Sequence, residues 1–329
     1  MNDAVHNLDL NKLSEYLGRQ LPNFSGINTS KKFGTGQSNP TYLIDTPEKK
    51  YVLRKKPPGK LLPSAHAVDR EYRIIKALEK TAVPVPKTML LCEDESVIGT
   101  IFYLMEFVDG RIFWDPSLPE IDTEQRRAVY KETVRVMTAL HNIDIEKANL
   151  LDFGKPGSYF ERQVSRWITQ YRAAETENYP EVEALIIWLE EAMPEDDGVV
   201  SIVHGDYRLY NMIFDHNSET ILAVLDWELS TLGHPYADLA YQCMSWYIPQ
   251  IGLVPGLAGM KLEELGIPSE DEYVESYCKK MNINSIPNWS FYLAFGFFRL
   301  AGIAQGVYKR SLQGNASAKN ANELGAAVP

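Results

Sequence analysis

His204-Gly205-Asp206-Tyr207-Arg208-Leu209-Tyr210-Asn211 is followed by the apolar run Met212–Phe214, a polar turn over residues 215–219, and a second apolar run that ends in Asp226. Residues 199–203 and 221–225 read as short β-strands, so Asp206 and Asn211 lie five apart on a loop after one strand. Asp226 then stands at the end of the returning strand. This is an H-x-D-x-x-x-x-N pattern with a later aspartate, the residue types that phosphoryl transfer needs. A hydroxyl attacking a phosphorus must be oriented and lose its proton, and Asp206 is the candidate acceptor. Phosphate charge must be neutralised by hard magnesium ions, which take oxygen ligands, and Asn211 and Asp226 are the candidates. His204 reads as a scaffold residue of the loop. The bland alternative is a hairpin loop whose Asp, Asn and His merely satisfy backbone groups; the arrival of Asp226 after a β run weighs against it.

Around this segment the composition is that of a soluble globular protein: 329 residues, 45% hydrophobic and 23% charged, enough for one large core or two modest ones. The formal charge of −11 disfavours broad attraction to nucleic acid or an anionic membrane. Cys92, Cys243 and Cys278 are widely spaced and lack CxxC spacing, so neither a disulfide framework nor a zinc site is indicated. Residues 1–10 carry no apolar signal region. The apolar stretch 291–304 is interrupted by Arg299 and is short for a bilayer. A cytoplasmic protein without a membrane span is the expectation.

Leu10, Leu13, Tyr16 and Leu17 suit a short amphipathic helix, and residues 31–33, 41–45 and 51–55 read as strands. Val68, Glu71, Tyr72, Ile75 and Leu78 mark a helical stripe in which Glu71 is the anomalous carboxylate. Strands over 87–92 and 100–108 would complete a sheet with one inserted helix. Helical patterns follow over 123–142, 159–174, 182–192, 235–247, 270–280 and 289–310. The expected class is α+β, with a small β-rich N-terminal lobe over 1–106, a larger helical lobe over 107–313, and a flexible tail over 314–329.

HGDYRLYN, VLDWE and GHPYADLAY together resemble the aminoglycoside phosphotransferase family, and FGTGQSNPTYLI with YVLRKKPPGKLLPSAHAVDREYRII is similar to its subgroup found as a kinase-like domain fused to some acyl-CoA dehydrogenases. The resemblance covers nearly the whole chain to about residue 310. It implies a bilobal protein-kinase-like fold, ATP and Mg²⁺ as cofactors, and a small-molecule hydroxyl as acceptor. Gly34, Gly36, Gln37, Ser38 and Asn39 would form the loop over the phosphates, although a third glycine of G-x-G-x-x-G is missing. Arg54 stands where kinases place the phosphate-pairing lysine, with Glu71 as its partner. Lys56 shares that face of the strand and remains an alternative to Arg54, and Glu71 could instead be a partly exposed edge residue. The backbone at Glu106 and Val108 would meet adenine, or belong to a plain edge strand. Asp238 would brace the catalytic loop, or serve as a first-turn helix acid.

A regulated protein kinase fits poorly. Gly205 stands where such kinases carry Arg, Trp227-Glu228 replaces Phe-Gly, and eleven residues between Asp226 and Asp238 leave no room for an activation loop. Asp206, Asn211 and Asp226 together argue against a nucleotide-binding scaffold without turnover. The acceptor stays open among a hydroxyacyl-CoA or related hydroxy compound, suggested by the fused relatives, and an aminoglycoside or choline-like alcohol. Lys55, Lys56, Lys60 and Arg111 form a basic cluster that either meets phosphates or is a solvated face. Trp227, Trp246, Tyr247, Trp289 and Phe297 could line an acceptor pocket, but their helical spacing suits core positions better. A functional link to an acyl-CoA dehydrogenase follows from the resemblance.

Overall fold

Side chains along a strand alternate between two faces, and residues 41–55 are sorted in this way. Tyr42, Ile44, Tyr51 and Leu53 enter a buried cluster with Leu13 and Leu17, while Arg54 reaches Glu71. The structure is a computed structural model that describes residues 8–34, 39–57, 67–250 and 255–313. Cα packing divides the chain into two units, residues 1–110 with 222–230, and residues 111–221 with 231–329.

The first unit opens with α1 (Leu10–Gln20), started by Asp9, whose side chain accepts the Lys12 N–H. Strands β1 (Thr29–Lys32), β2 (Thr41–Asp45) and β3 (Lys50–Lys55) precede α2 (Val68–Leu78), after which come β4 (Thr88–Cys92) and β5 (Phe102–Glu106). They form one antiparallel sheet in the order β1-β2-β3-β5-β4. Its register places Thr41 opposite Arg54 and Arg54 opposite Tyr103. Leu13 and Leu17 of α1 are fully buried against one set of strand side chains, each contributing roughly 1.5–3 kcal/mol by leaving water. The buried stripe of α2 is Val68, Glu71, Ile74, Ile75 and Leu78. Residues 222–230 return to this unit, with the Val224 N–H on the Pro84 carbonyl and a 3₁₀ turn at Trp227–Leu229 packed on α2.

The second unit contains α3 (Thr123–His141), α4 (Tyr159–Ala174), α5 (Pro180–Glu191) and β6 (Ser201–Val203). A capping box of Asp122 and Gln125 starts α3, and α5 begins at a proline, whose missing N–H is no loss there. After β7 (Met212–Phe214) a turn closed by the Asp215 N–H on the Thr220 carbonyl leads into β8 (Ile221–Val224). Then follow β9 (Thr231–Gly233), α6 (Tyr236–Cys243), α7 (Leu262–Leu265), α8 (Glu270–Met281) and α9 (Trp289–Leu312). The short β6 pairs antiparallel with β9, which fixes the start of the loop after Val203. Helices α4, α5 and α6 pack on α9, and α8 packs on α3. With 24 residues, α9 runs well past the expected apolar stretch and is long and apolar enough to cross a bilayer by length and composition alone. Of its most apolar window 56% is buried in the fold, including Phe291, Phe295 and Phe298. The expected helix over 235–247 divides into α6 and a 3₁₀ turn at Met244–Trp246. All three cysteines are buried free thiols.

Candidate active site

In the second unit the chain leaves β6 through His204 and Gly205, and Gly205 takes φ +87°, a conformation open to glycine without steric cost. The turn lets both backbone N–H groups donate to one carboxylate, His204 to Asp238 Oδ2 at 2.6 Å and Gly205 to Oδ1 at 2.8 Å. Asp238 is 1% exposed in the first turn of α6. His141 Nε2 lies 3.5 Å from its Oδ2, while His141 Nδ1 meets the Tyr277 hydroxyl at 2.8 Å. Burial alone would raise the Asp238 pKa, but the hydrogen bond and charge of His141, the charge of His204 and the Gly205 N–H together hold it below its usual value.

This braced turn delivers Asp206. Its N–H donates to His204 Nδ1 at 3.1 Å, so His204 is fastened within the loop. Asn211 ends a 3₁₀ turn and donates through Nδ2 to the Asp206 carbonyl and to Asp206 Oδ2, both at 2.9 Å. Those two bonds commit the amide hydrogens and leave Oδ1 as the atom able to meet a cation. Tyr210 donates its hydroxyl to Asp206 Oδ1 at 3.4 Å.

The first unit holds a separate cluster of charges. Arg54 Nε is 2.9 Å from Glu71 Oε2, and its Nη2 is 2.6 Å from Asp226 Oδ1 and 3.2 Å from Glu228 Oε2. It is therefore Arg54, not Lys56, that meets Glu71, and Glu71 is fully buried rather than an edge residue. Asp226 sits at φ +63°, a left-handed conformation that costs a non-glycine residue on the order of 1–2 kcal/mol and marks functional sites more often than others. Asn39, 2% exposed, donates to Glu228 Oε2 at 3.2 Å.

One guanidinium among three carboxylates leaves negative charge in excess. Burial pushes the Glu71 pKa from 4.5 up to about 7, opposed by Arg54 and reinforced by Asp226 and Glu228. A pKa higher in the folded than in the unfolded state means the native protein holds the extra proton between pH 4.5 and about 7. Its stability contribution therefore falls as pH rises through that window. Thermal unfolding of wild type and Glu71→Gln should show the difference moving in favour of Gln from pH 4.5 to about 7, by up to roughly 3 kcal/mol. A pH-independent difference would mean that Glu71 stays ionised throughout.

Of the other expected site residues, Gly34 is described and has open space around its Cα, whereas Gly36, Gln37, Ser38 and Lys60 lie outside the described residues, as does the tail over 314–329. At the end of β5 the Glu106 N–H donates to the Lys87 carbonyl and the Phe107 N–H to the Lys50 carbonyl. Among the described residues the Val108 N–H meets no acceptor. The basic cluster does not form one solvated face: Lys55 is 4% exposed, and Arg111 donates to the carbonyls of Asp215 and Ser218. Trp227 and Trp246 are buried, with their indole N–H groups on the carbonyls of Val224 and Pro268.

Two features were not anticipated. Glu228 joins the Arg54 cluster, and its position two residues after Asp226 was the available signal. A cavity of about 410 Å³ in the second unit is lined by Trp114, Arg208, Tyr210, Tyr241, Gln242 and Ile248, among others, and none of the aromatic residues singled out by helical spacing is among its walls. The described residues contain no group of three or more His, Cys, Asp or Glu side chains arranged to hold a metal.

A profile of the phosphotransferase enzyme family, APH, matches residues 29–269, a span that includes both the Arg54 cluster and the loop from His204 to Asn211. The chain belongs to this family. This APH-family chain is 46% identical, with a TM-score of 0.88, to a solved structure from Ralstonia eutropha JMP134 provisionally described as an aminoglycoside phosphotransferase, covering 98% of this chain and 95% of that one. A macrolide 2'-phosphotransferase from Brachybacterium faecium shares the fold at 17% identity and a TM-score of 0.62, with 97% and 98% of the two chains covered. Mouse acyl-CoA dehydrogenase family member 10 is 50% identical over 295 residues, which is 89% of this chain and 28% of that relative. The chain thus spans less than a third of that protein's length. The kinase-like α+β fold, sheet-rich at the N-terminus and helical beyond, is the fold of this APH-family member.

Proposed function

We propose that this chain is an ATP-dependent kinase that moves the γ-phosphoryl group of Mg·ATP to the hydroxyl of a small molecule, the acceptor being a hydroxyacyl-CoA or a related hydroxy compound. The observation that carries the reading is the Asp206 carboxylate, with Asn211 on Oδ2 and a loop braced by Asp238 behind it. Asp206 accepts the acceptor's proton as its oxygen bonds to the γ-phosphorus and the bond from that phosphorus to the β,γ-bridging oxygen breaks; ADP departs and the proton passes to solvent. Arg54, held by Glu71, offers a planar fork for phosphate oxygens where a lysine would offer a point charge. Gly34 and Asn39 are assigned to the phosphates, and the backbone at Glu106 and Val108 to adenine.

The oxygen donors Asp226 and Asn211 Oδ1, together with the excess of carboxylates around Arg54, suit magnesium as the ion to hold. Held by Asp226 and Asn211, magnesium would supply positive charge against the phosphate oxygens. The acceptor class draws support from the acyl-CoA dehydrogenase name of the mouse relative, which also motivates a functional link to such a dehydrogenase.

An ADP-release screen with hydroxyacyl-CoAs, their free hydroxy acids, aminoglycosides and choline-like alcohols tests the reading. The thioesters should turn over faster than the free acids, because remote binding energy positions the reacting hydroxyl. Turnover with aminoglycosides alone would overturn the acceptor assignment. Nucleotide binding without turnover of any alcohol would favour a scaffold.

A further inference from the structure

Arg208, two residues after Asp206, is a buried cation with unsatisfied donors. Its side chain is 12% exposed, and its Nε and Nη2 are buried without a hydrogen-bond acceptor. Asp206 Oδ1 lies 3.7 Å from Nε, too far for a hydrogen bond. What the guanidinium does touch is aromatic: its central carbon is 4.2 Å from the centre of the Tyr241 ring and 6.0 Å from that of Tyr210. Arg299 sits 4.7 Å from the same Tyr241 ring, so this ring already serves a second cation. Aromatic faces attract a cation but give its N–H groups no oxygen. A guanidinium held this way is costly unless something supplies the missing acceptor.

Arg208 also lines the 410 Å³ cavity, whose other walls are chiefly aromatic and aliphatic. The stacked rings of Trp114 and Tyr210, 6.1 Å apart with 12° between their planes, form one side. The cavity's carboxylate, Asp115, is engaged by the Ser117 N–H and by Gln250 Nε2. An apolar chamber with one underused cation selects a ligand with a hydrocarbon body and one oxygen acceptor, and repels a polyamine.

We propose that Arg208 is the acceptor-recognition residue: its guanidinium donates to an acyl oxygen, from a carboxylate or a thioester carbonyl, of an alcohol whose hydrocarbon portion fills this cavity. The identity of the reacting hydroxyl rests on the phosphotransfer reading above; the assignment of Arg208 and of the cavity goes beyond it.

Equilibrium binding without ATP separates the two. With no phosphoryl donor present, hexanoate, hexanoyl-CoA, 1-hexanol and hexylamine report binding alone and so test the chamber. Hexanoate or hexanoyl-CoA should bind wild type roughly ten- to a hundred-fold more tightly than 1-hexanol, the effect of a charge-assisted hydrogen bond, and hexylamine should bind worst. The tighter of the two acyl probes identifies the source of the oxygen. Arg208→Met should bring the acyl probes down to the level of 1-hexanol, with Arg208→Lys intermediate because a point charge replaces the fork. The Met variant keeps the length of the side chain against Tyr241 but gives up the 3.7 Å approach to Asp206, so its fold is checked by thermal melting; were it to misfold, the Lys variant carries the comparison. Equal binding of hexanoate, hexanoyl-CoA and 1-hexanol to wild type, or undiminished acyl binding in the folded variants, would overturn the proposal while leaving phosphotransfer intact. Acyl selectivity that depends on Arg208, combined with no ADP release from any hydroxylated analogue, would support this site and sink the kinase reading alone.

Discussion

Asp206→Ala is expected to lower turnover by about 10²- to 10⁴-fold, the range for removing a positioned proton acceptor, while leaving magnesium-dependent protection by ATP unchanged. Nucleotide at a thousand times its dissociation constant stabilises the native state by roughly 4 kcal/mol, readily seen as a thermal shift. Asp226→Asn should show the opposite pattern and lose most of that protection, because its charge is assigned to the ion that neutralises the phosphates. Asn is preferred to Ala at this position because φ is +63°, and Asn tolerates the left-handed region better. The variant also keeps an oxygen toward Arg54, whose 2.9 Å pair with Glu71 is untouched, so any lost protection reports on the metal rather than on collapse of the cluster. Near wild-type turnover in Asp206→Ala with a verified acceptor would show that the catalytic loop has been misassigned. Retained magnesium-dependent protection in Asp226→Asn would remove Asp226 from the ligand set.

The pairing of Arg54 with Glu71 was readable from the chain because two independent periodicities converge on it. Strand alternation confined the cation to Arg54 or Lys56, and the helical stripe singled out a carboxylate among apolar neighbours. Which cation it would be was not readable, since residues 54 and 56 share a face and only the sheet register separates them. The loop from His204 to Asn211 was legible for a different reason: its chemistry depends on local spacing, and the Asn211 to Asp206 bonds span only five residues. Contacts of long sequence separation were the ones that escaped. Asn39 reaches Glu228 across 189 residues, and the chamber around Arg208 is built from side chains that run from Trp114 to Pro255. No periodicity marks such a cavity. Of the aromatics that did stand at helical spacing, Trp227 and Trp246 went into the core, Trp246 against Tyr130 and Tyr273, while Tyr247 is exposed. The three-residue β9 was missed because a strand that short has no alternation to read; it is defined by its partner β6.

Asp238 presents the sharpest test of how this fold supports the loop. Its carboxylate was an ambiguous first-turn acid in the sequence, yet it accepts the N–H groups of both His204 and Gly205 and touches Asp206 nowhere. Asp238→Ala should cost on the order of 3–5 kcal/mol in chemical denaturation, the effect of removing one side of a buried charged network, because two buried backbone donors and His141 lose their acceptor. Asp238→Asn keeps the volume and one acceptor oxygen, so it should fold and isolate positioning from stability. In that variant kcat should fall by up to about 10²-fold through displacement of Asp206, with KM for ATP unchanged, since nothing assigned to the nucleotide is touched. The acid dependence has a definite sign. The folded pKa of Asp238 lies below its ordinary 3.8, so its stabilisation is present above that pH and is lost as pH falls through the lower, folded value. The stability gap between wild type and Asp238→Asn should therefore close as the solution is acidified below pH 3.8. A gap that persists there, or an Asp238→Asn enzyme with unaltered kcat, would mean that the two backbone N–H groups hold the loop without this carboxylate's charge.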